Sequence, residues 1–262
     1  MIFFRAIRYL EYKLFWQHRN GHGIHSPFVF DLISRVFRNK INPDIVCKIE
    51  SIRKNLISDN STLAVRDLGS GSENTKTNLR RVSDIARYSP VQKKYGFLLS
   101  NMAIEFGAPF IIEFGTSFGI STMYLAGESR NVIVYTMEGC PAISEKAREN
   151  FEETGFSNIR MFTGSFDDLL PSIMNLPGTP GLIFIDGNHR KDPVINYFCR
   201  MREISGDKTV IILDDIHYSL EMEEAWEIIK HSEKVTMTID IGRMGIVFFR
   251  KGMTHIDYKI RY

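Results

Sequence analysis

The sequence predicts an α/β protein, a mostly parallel sheet of seven strands that ends in an antiparallel hairpin and is preceded by a helical N-terminal extension. Two observations carry this. From residue 110 to residue 230, short apolar runs alternate with amphipathic stretches, the pattern of parallel strands joined by crossover helices. Beyond them, Val235 to Ile241 and Gly245 to Arg250 are two apolar runs separated by a turn too short for a crossover, so they must pair antiparallel. At 262 residues, the length suits one substantial domain, expected over residues 90–262, with residues 1–89 as a cap or extension.

Composition narrows the class. A hydrophobic content of 44% and a charged content of 24% are those of an ordinary globular chain. The net charge of +2 gives no reason to expect a nucleic-acid partner. Cys47, Cys140 and Cys199 are three in number and far apart, so neither a disulfide framework nor a zinc site is expected, and a reducing cytoplasm fits best. Arg5, Arg8, Glu11 and Lys13 interrupt the first apolar stretch, which excludes a signal-peptide core, and no apolar run approaches the roughly 18 residues of a membrane span.

Taken in order, Phe3, Ile7, Leu10 and Leu14 recur at helical spacing. This amphipathic helix fits packing on its own domain better than peripheral contact with a membrane surface, although residues 1–40 carry seven Lys/Arg against two acids. His18, His22 and His25 follow in a loop where Gly21 and Gly23 argue against a helix that would align them, so a loop covering a pocket or binding an anion is expected rather than a metal site. Ser26-Pro27 is a helix start. Residues 41–60 form a further helix with Ile45, Ile49, Ile52 and Leu56 on its apolar stripe. Gly69-Ser70-Gly71 imitates a nucleotide-binding turn, but Glu73, Asn74, Lys76, Thr77 and Asn78 are too polar for the helix such a turn requires, so this stretch is expected to be a hairpin or loop. Residues 79–107 are then helical, broken at Pro90 and stopped at Gly107-Ala108-Pro109.

Phe110 to Ala126 reads as strand, glycine turn and helix. Gly115 and Gly119 bracket a turn where backbone can approach a small molecule, and Ser121-Thr122 open a helix whose free N–H groups face it. Strands 132–139, 158–165, 181–189 and 209–217 alternate with helices 143–155, 166–174, 193–201 and 222–230. Ligands of open α/β sheets bind beyond the carboxyl ends of the strands. Those ends carry Glu113 to Gly119, Glu138, Gly164-Ser165-Phe166, Asp186 to His189 and Asp214 to His217, a set whose acidity suits a cationic ligand rather than a bare polyphosphate.

This order of residues, closed by the hairpin, resembles the class I S-adenosylmethionine-dependent methyltransferases, and most nearly their O-methyltransferase branch of catechol and macrolide-sugar enzymes, over residues 90 to 251. The resemblance implies a Rossmann-like, doubly wound sheet and O-methylation of a small or glycosylated molecule. It implies that Glu113, Gly115, Thr116, Ser117, Gly119 and Ser121 hold the methionine moiety, Glu138 the ribose hydroxyls, and Gly164, Ser165 and Phe166 the adenine, with Asp186 near the reacting methyl. It also implies that Asp186, Asp214 and Asp215 could hold Mg2+ or another divalent cation that lowers the pKa of an acceptor hydroxyl. His189 and His217 are the general-base candidates, since imidazole titrates near neutrality, and either could instead orient a neighbour. Two other readings remain open: a non-catalytic or membrane-surface module on the same fold, and a dinucleotide-dependent oxidoreductase, which the missing G-x-G-x-x-G pattern and the terminal hairpin disfavour. A homo-oligomer is compatible with the sequence.

Overall fold

In the computed structural model, residues 26–65, 78–128 and 131–262 are described; the stretch from Phe3 to Trp16, the loop bearing His18, His22 and His25, and Gly69 to Gly71 lie outside them. The chain divides into two units, Lys40–Gly178 and Thr179–Tyr262 joined by the segment before Lys40. The boundary expected at 89/90 therefore falls inside the first unit. Among the described residues, no helix is long and apolar enough to cross a membrane.

Helix α1 (Pro27–Asp31) begins as expected, with Pro27 in its first turn and the Ser26 hydroxyl accepting from the Val29 N–H, and runs on into one π turn, Leu32–Val36. It belongs to the second unit, where the Phe28 ring meets Phe248 edge-on at 5.4 Å and carries the Arg250 guanidinium 4.1 Å above it.

In the first unit, α2 (Pro43–Ser58) buries Ile45, Ile49, Ile52 and Leu56, the stripe that its spacing predicts. β1 (Thr62–Val65) and β2 (Asn78–Arg81) pair antiparallel on either side of the stretch that lies outside the described residues. Leu79 to Arg81 were expected to be helical but are strand. The Val82 and Ser83 N–H groups bond to the Ser61 and Asp59 carbonyls, which draws the chain into this pairing before α3 (Val82–Tyr88) can start. α4 (Lys93–Phe106) follows the Pro90 break. Then come β3 (Phe110–Phe114), α5 (Ile120–Gly127), β4 (Ile133–Glu138), α6 (Pro141–Thr154), β5 (Ile159–Thr163) and α7 (Phe166–Met174). β3 pairs parallel with β4, and β4 with β5. Phe114 lies opposite Met137 and Glu138 opposite Thr163, so the three carboxyl ends come out along one edge. Ile49, Ile52, Phe118, Met123, Tyr124 and Phe151 belong to the core packed beside them.

In the second unit, β6 (Leu182–Ile185), α8 (Lys191–Glu203), β7 (Val210–Leu213), α9 (Leu220–Lys230), β8 (Met237–Asp240) and β9 (Gly245–Phe248) follow in order. β6 and β7 are parallel, while β9 pairs antiparallel with both β7 and β8, which is the predicted hairpin. One element corrects the expected total of seven strands: β10 (Ile256–Lys259) pairs parallel with β8. It has no apolar run to announce it, because Ile256 and Asp257 are exposed; backbone bonds from Ile256 N to Thr236 O and from Ile260 N to Asp240 O (3.2 and 2.8 Å) hold it in place.

Candidate active site

In the first unit, the turn after β3 is closed by backbone bonds and by one side chain. The N–H groups of Gly115 and Thr116 both donate to the Met137 carbonyl (3.0 and 3.1 Å), and the Gly119 N–H returns to the Thr116 carbonyl at 2.8 Å. Gly115 (φ 94°), Ser117 (φ 47°) and Gly119 (φ 84°) are all left-handed. Glycine adopts this freely, but Ser117 does so at a cost of about 1 kcal/mol. Such strain persists only where neighbours over-determine it. Here the Glu138 carboxylate does so, accepting from Ser117 N through one oxygen and from Cys140 N through the other, each at 2.9 Å. The last residue of β4 thus ties the β3 turn to the start of α6. Gly119 has a second reason to be glycine: a Cβ there would lie 2.3 Å from the Phe151 ring. Its missing side chain makes room for the core.

Glu113 is fully enclosed rather than presented at the surface. Its Oε2 accepts from the hydroxyls of Thr122 (2.5 Å) and Thr136 (2.7 Å), and Thr116 Oγ1 lies 2.6 Å from Thr136 Oγ1, so a chain of hydroxyls runs from the turn to the carboxyl. Its Oε1 is buried with no hydrogen-bond partner. Burial pushes the carboxyl up to about 7, against the pull of the Thr122, Thr136 and Ser121 hydroxyls, with the Glu138 charge adding to the rise. At neutral pH this group therefore lies between its two protonation states.

Of the residues expected to hold a cofactor, Gly115, Ser117, Glu138, Gly164, Ser165 and Phe166 are half-buried at the strand ends, while Thr116, Gly119 and Ser121 join Glu113 beneath the surface. Ser165 is the N-cap of α7: its hydroxyl accepts from Asp168 N at 3.2 Å and donates to the Asp168 carboxylate at 2.5 Å. The Phe166 ring stands edge-on to Phe114, centroids 5.5 Å apart.

In the second unit, Asp186 directly follows β6, and its Oδ1 lies 3.4 Å from His189 Nε2. The His189 ring in turn leans on Tyr218 at 6.0 Å. Asn188 (φ 54°) and Asp215 (φ 52°) are left-handed, so the turns after β6 and β7 are strained as the β3 turn is.

Two of the expected residues have charged partners here. Asp214, 1% exposed, is gripped side-on by Arg243, whose Nε donates to Oδ1 at 2.8 Å and Nη2 to Oδ2 at 2.5 Å. Arg243 Nε is also 3.5 Å from Asp215 Oδ1. Among the described residues, no group of three or more His, Cys, Asp or Glu is placed to hold a metal ion. The acids of β7 already have their cation. His217 is likewise enclosed by partners of opposite charge. Its Nδ1 lies 2.8 Å from Glu223 Oε1 and its Nε2 2.8 Å from Asp240 Oδ2, so both nitrogens face carboxylates. Burial acts to lower the pKa of the imidazole, but the two carboxylates together outweigh it and the net shift is upward.

Residues 112–216 match a family model described as a methyltransferase domain. The O-methyltransferase imqG of Aspergillus flavus is 28% identical over 143 residues, which span 52% of this chain and 56% of that protein's length. The solved O-methyltransferase from Bacillus cereus, in complex with SAH, aligns with a TM-score of 0.56 at 21% identity, over 84% of this chain and 97% of the other. TomG from Streptomyces achromogenes, an O-methyltransferase involved in tomaymycin synthesis and solved with SAM, gives 0.56 at 16%, over 80% and 91%. The chain shares the fold of these O-methyltransferases, and residues 112–216 are similar to a methyltransferase domain. Glu113, Glu138, Ser165, Asp186 and Asp214 lie inside that segment; Arg243 lies outside it.

Proposed function

We propose that this chain is an S-adenosylmethionine-dependent methyltransferase that methylates an oxygen of a small molecule. The observation that carries the reading is the turn from Gly115 to Gly119, inside the matched segment, strained at Ser117 and stapled to Glu138. Its half-buried backbone suits the methionine moiety, and Glu138, already accepting two N–H bonds, keeps acceptor capacity for ribose hydroxyls. Phe166, braced on Phe114, offers an apolar edge to an adenine.

When bound, the cofactor supplies an electrophilic methyl carbon on a sulfonium. The protein's part is to orient the acceptor and take the proton of its hydroxyl. Of the two histidines expected for the proton, His189 fits that role, with Asp186 at 3.4 Å to set the ring. Glu113 adds a linkage: a cation bound at the turn favours its ionised form, so binding releases protons below about pH 7. Titration with S-adenosylmethionine in buffers of different ionisation enthalpy tests both points. One-to-one binding with proton release at pH 6 is expected, and a protein that binds neither this compound nor S-adenosylhomocysteine is not a methyltransferase. Cytoplasmic location is part of the same reading, supported by the free thiols of Cys47, Cys140 and Cys199.

A further inference from the structure

The second unit contains a device that the methyltransferase reading leaves unexplained. The loop after β7, residues 214–218, and the turn between β8 and β9, residues 240–244, are fastened to each other in both directions. From the turn, the Arg243 guanidinium reaches Asp214 and Asp215, and the Arg243 carbonyl accepts from Ile216 N at 3.1 Å. From the loop, His217 reaches Asp240, whose other oxygen accepts from Gly242 N at 2.9 Å. Asp215 sits between two residues that Arg243 holds, one by its side chain and one by its carbonyl, and this is what keeps a non-glycine residue at φ 52°.

We propose that Arg243 is the resident cation of the β7 strand end, doing with a fixed guanidinium what a divalent metal does in the metal-dependent enzymes that the sequence resembles, and that the chain binds no divalent cation there. A hard cation needs open carboxylate oxygens at about 2.1 to 2.6 Å. Both oxygens of Asp214 instead carry N–H donors, in the side-on geometry that makes Arg–carboxylate pairs strong and directional. A metal entering here would have to displace Arg243, whose side chain is only 21% exposed, and leave its charge without Asp214. Arg243 is then a positioning residue. It fixes the loop that carries Tyr218, and Tyr218 supports the ring of His189.

The proposal rests on the methyltransferase reading only for its kinetic consequence, because metal binding is measured without cofactor. Mn2+ titration of the full chain, followed by electron paramagnetic resonance, compares wild type with Arg243→Ala. Removing the guanidinium opens Asp214 and Asp215, so the variant is expected to bind Mn2+ roughly tenfold or more tightly than wild type, and Asp214→Asn in the variant background is expected to abolish the gain. Equal Mn2+ affinity in wild type and variant overturns the proposal, as does stoichiometric Mn2+ on the wild type that Asp214→Asn removes. If Arg243→Ala does not fold, Arg243→Gln serves in the same comparison. Arg243→Lys keeps the charge without the fork; it is expected to remain free of Mn2+ and to lose kcat while KM for the methyl donor is unchanged, a split that general destabilisation does not produce.

Discussion

Glu113 in β3 and Asp214 at the end of β7 are both carboxylates enclosed at the carboxyl ends of buried parallel strands, yet the two units treat them in opposite ways. Glu113 receives only hydroxyls, and burial leaves its carboxyl at about 7. Asp214 receives a guanidinium through two hydrogen bonds. A carboxyl with hydroxyl partners stays responsive to any charge that arrives beside it, whereas one locked to arginine is already balanced. The first arrangement suits a site that recruits a cation, and the second suits a scaffold that positions something else.

The contrast breaks most visibly under the same change at both positions. Asp214→Asn leaves a largely buried guanidinium without its charge partner and is expected to cost about 4 kcal/mol, read from denaturant midpoints. Glu113→Gln removes a group that is half protonated at neutral pH and is expected to cost far less at pH 6. Equal losses at both positions would end the comparison.

A pH series sharpens it. Below 4.5, Glu113 is protonated in both the folded and the unfolded state; between 4.5 and about 7, only the folded state holds the proton. Stability therefore falls as pH rises through that window, by about 3 kcal/mol in full. His217 acts in the same direction above 6.5, because its folded pKa is raised. The Glu113 share is isolated by the difference between wild type and Glu113→Gln: the variant is expected to be relatively more stable at pH 8 than at pH 5, and a constant difference across the series counts against a raised Glu113. At the neighbouring turn, Gly119→Ala places a Cβ against Phe151 in a left-handed backbone and is expected to lower stability by about 2 kcal/mol.

What could be read in the sequence was local. The Ile45 to Leu56 stripe, the Ser26-Pro27 start and the bounds of α7 follow from spacing and caps within a few residues, and the structure returns them. The β3 turn and Glu138 were legible because a glycine turn after an apolar strand and an acid at the end of the next are signals that each segment carries by itself. Arg243 was not. It sits in a short hairpin turn, and only the antiparallel return of β9 beside β7 brings it to Asp214, 29 positions earlier in the chain. Counting acids at strand ends therefore overstated the charge at β7, since a count of charges contains no partners. The surroundings of His217 were hidden for the same reason: its two carboxylates come from α9 and β8. β10 lacks an apolar run and exists through its pairing with β8.

Ser165 provides the finest division between scaffold and site. The resemblance puts it beside adenine, and the structure makes it the cap of α7, with its hydroxyl on both the backbone and the carboxylate of Asp168. Ser165→Ala loses the cap and is expected to cost about 1 kcal/mol. Ser165→Asp also places an oxygen acceptor at the N-cap, but its charge would lie close to Asp168, so Ser165→Asn is the better control: it caps about as well as serine and adds no charge. If the hydroxyl serves only the helix, Asn recovers the stability that Ala loses, and S-adenosylhomocysteine binds all three proteins alike in calorimetry. If affinity falls in both variants while Asn restores the fold, the hydroxyl belongs to the ligand as well, and the responsive strand ends of the first unit extend from β3 and β4 to β5.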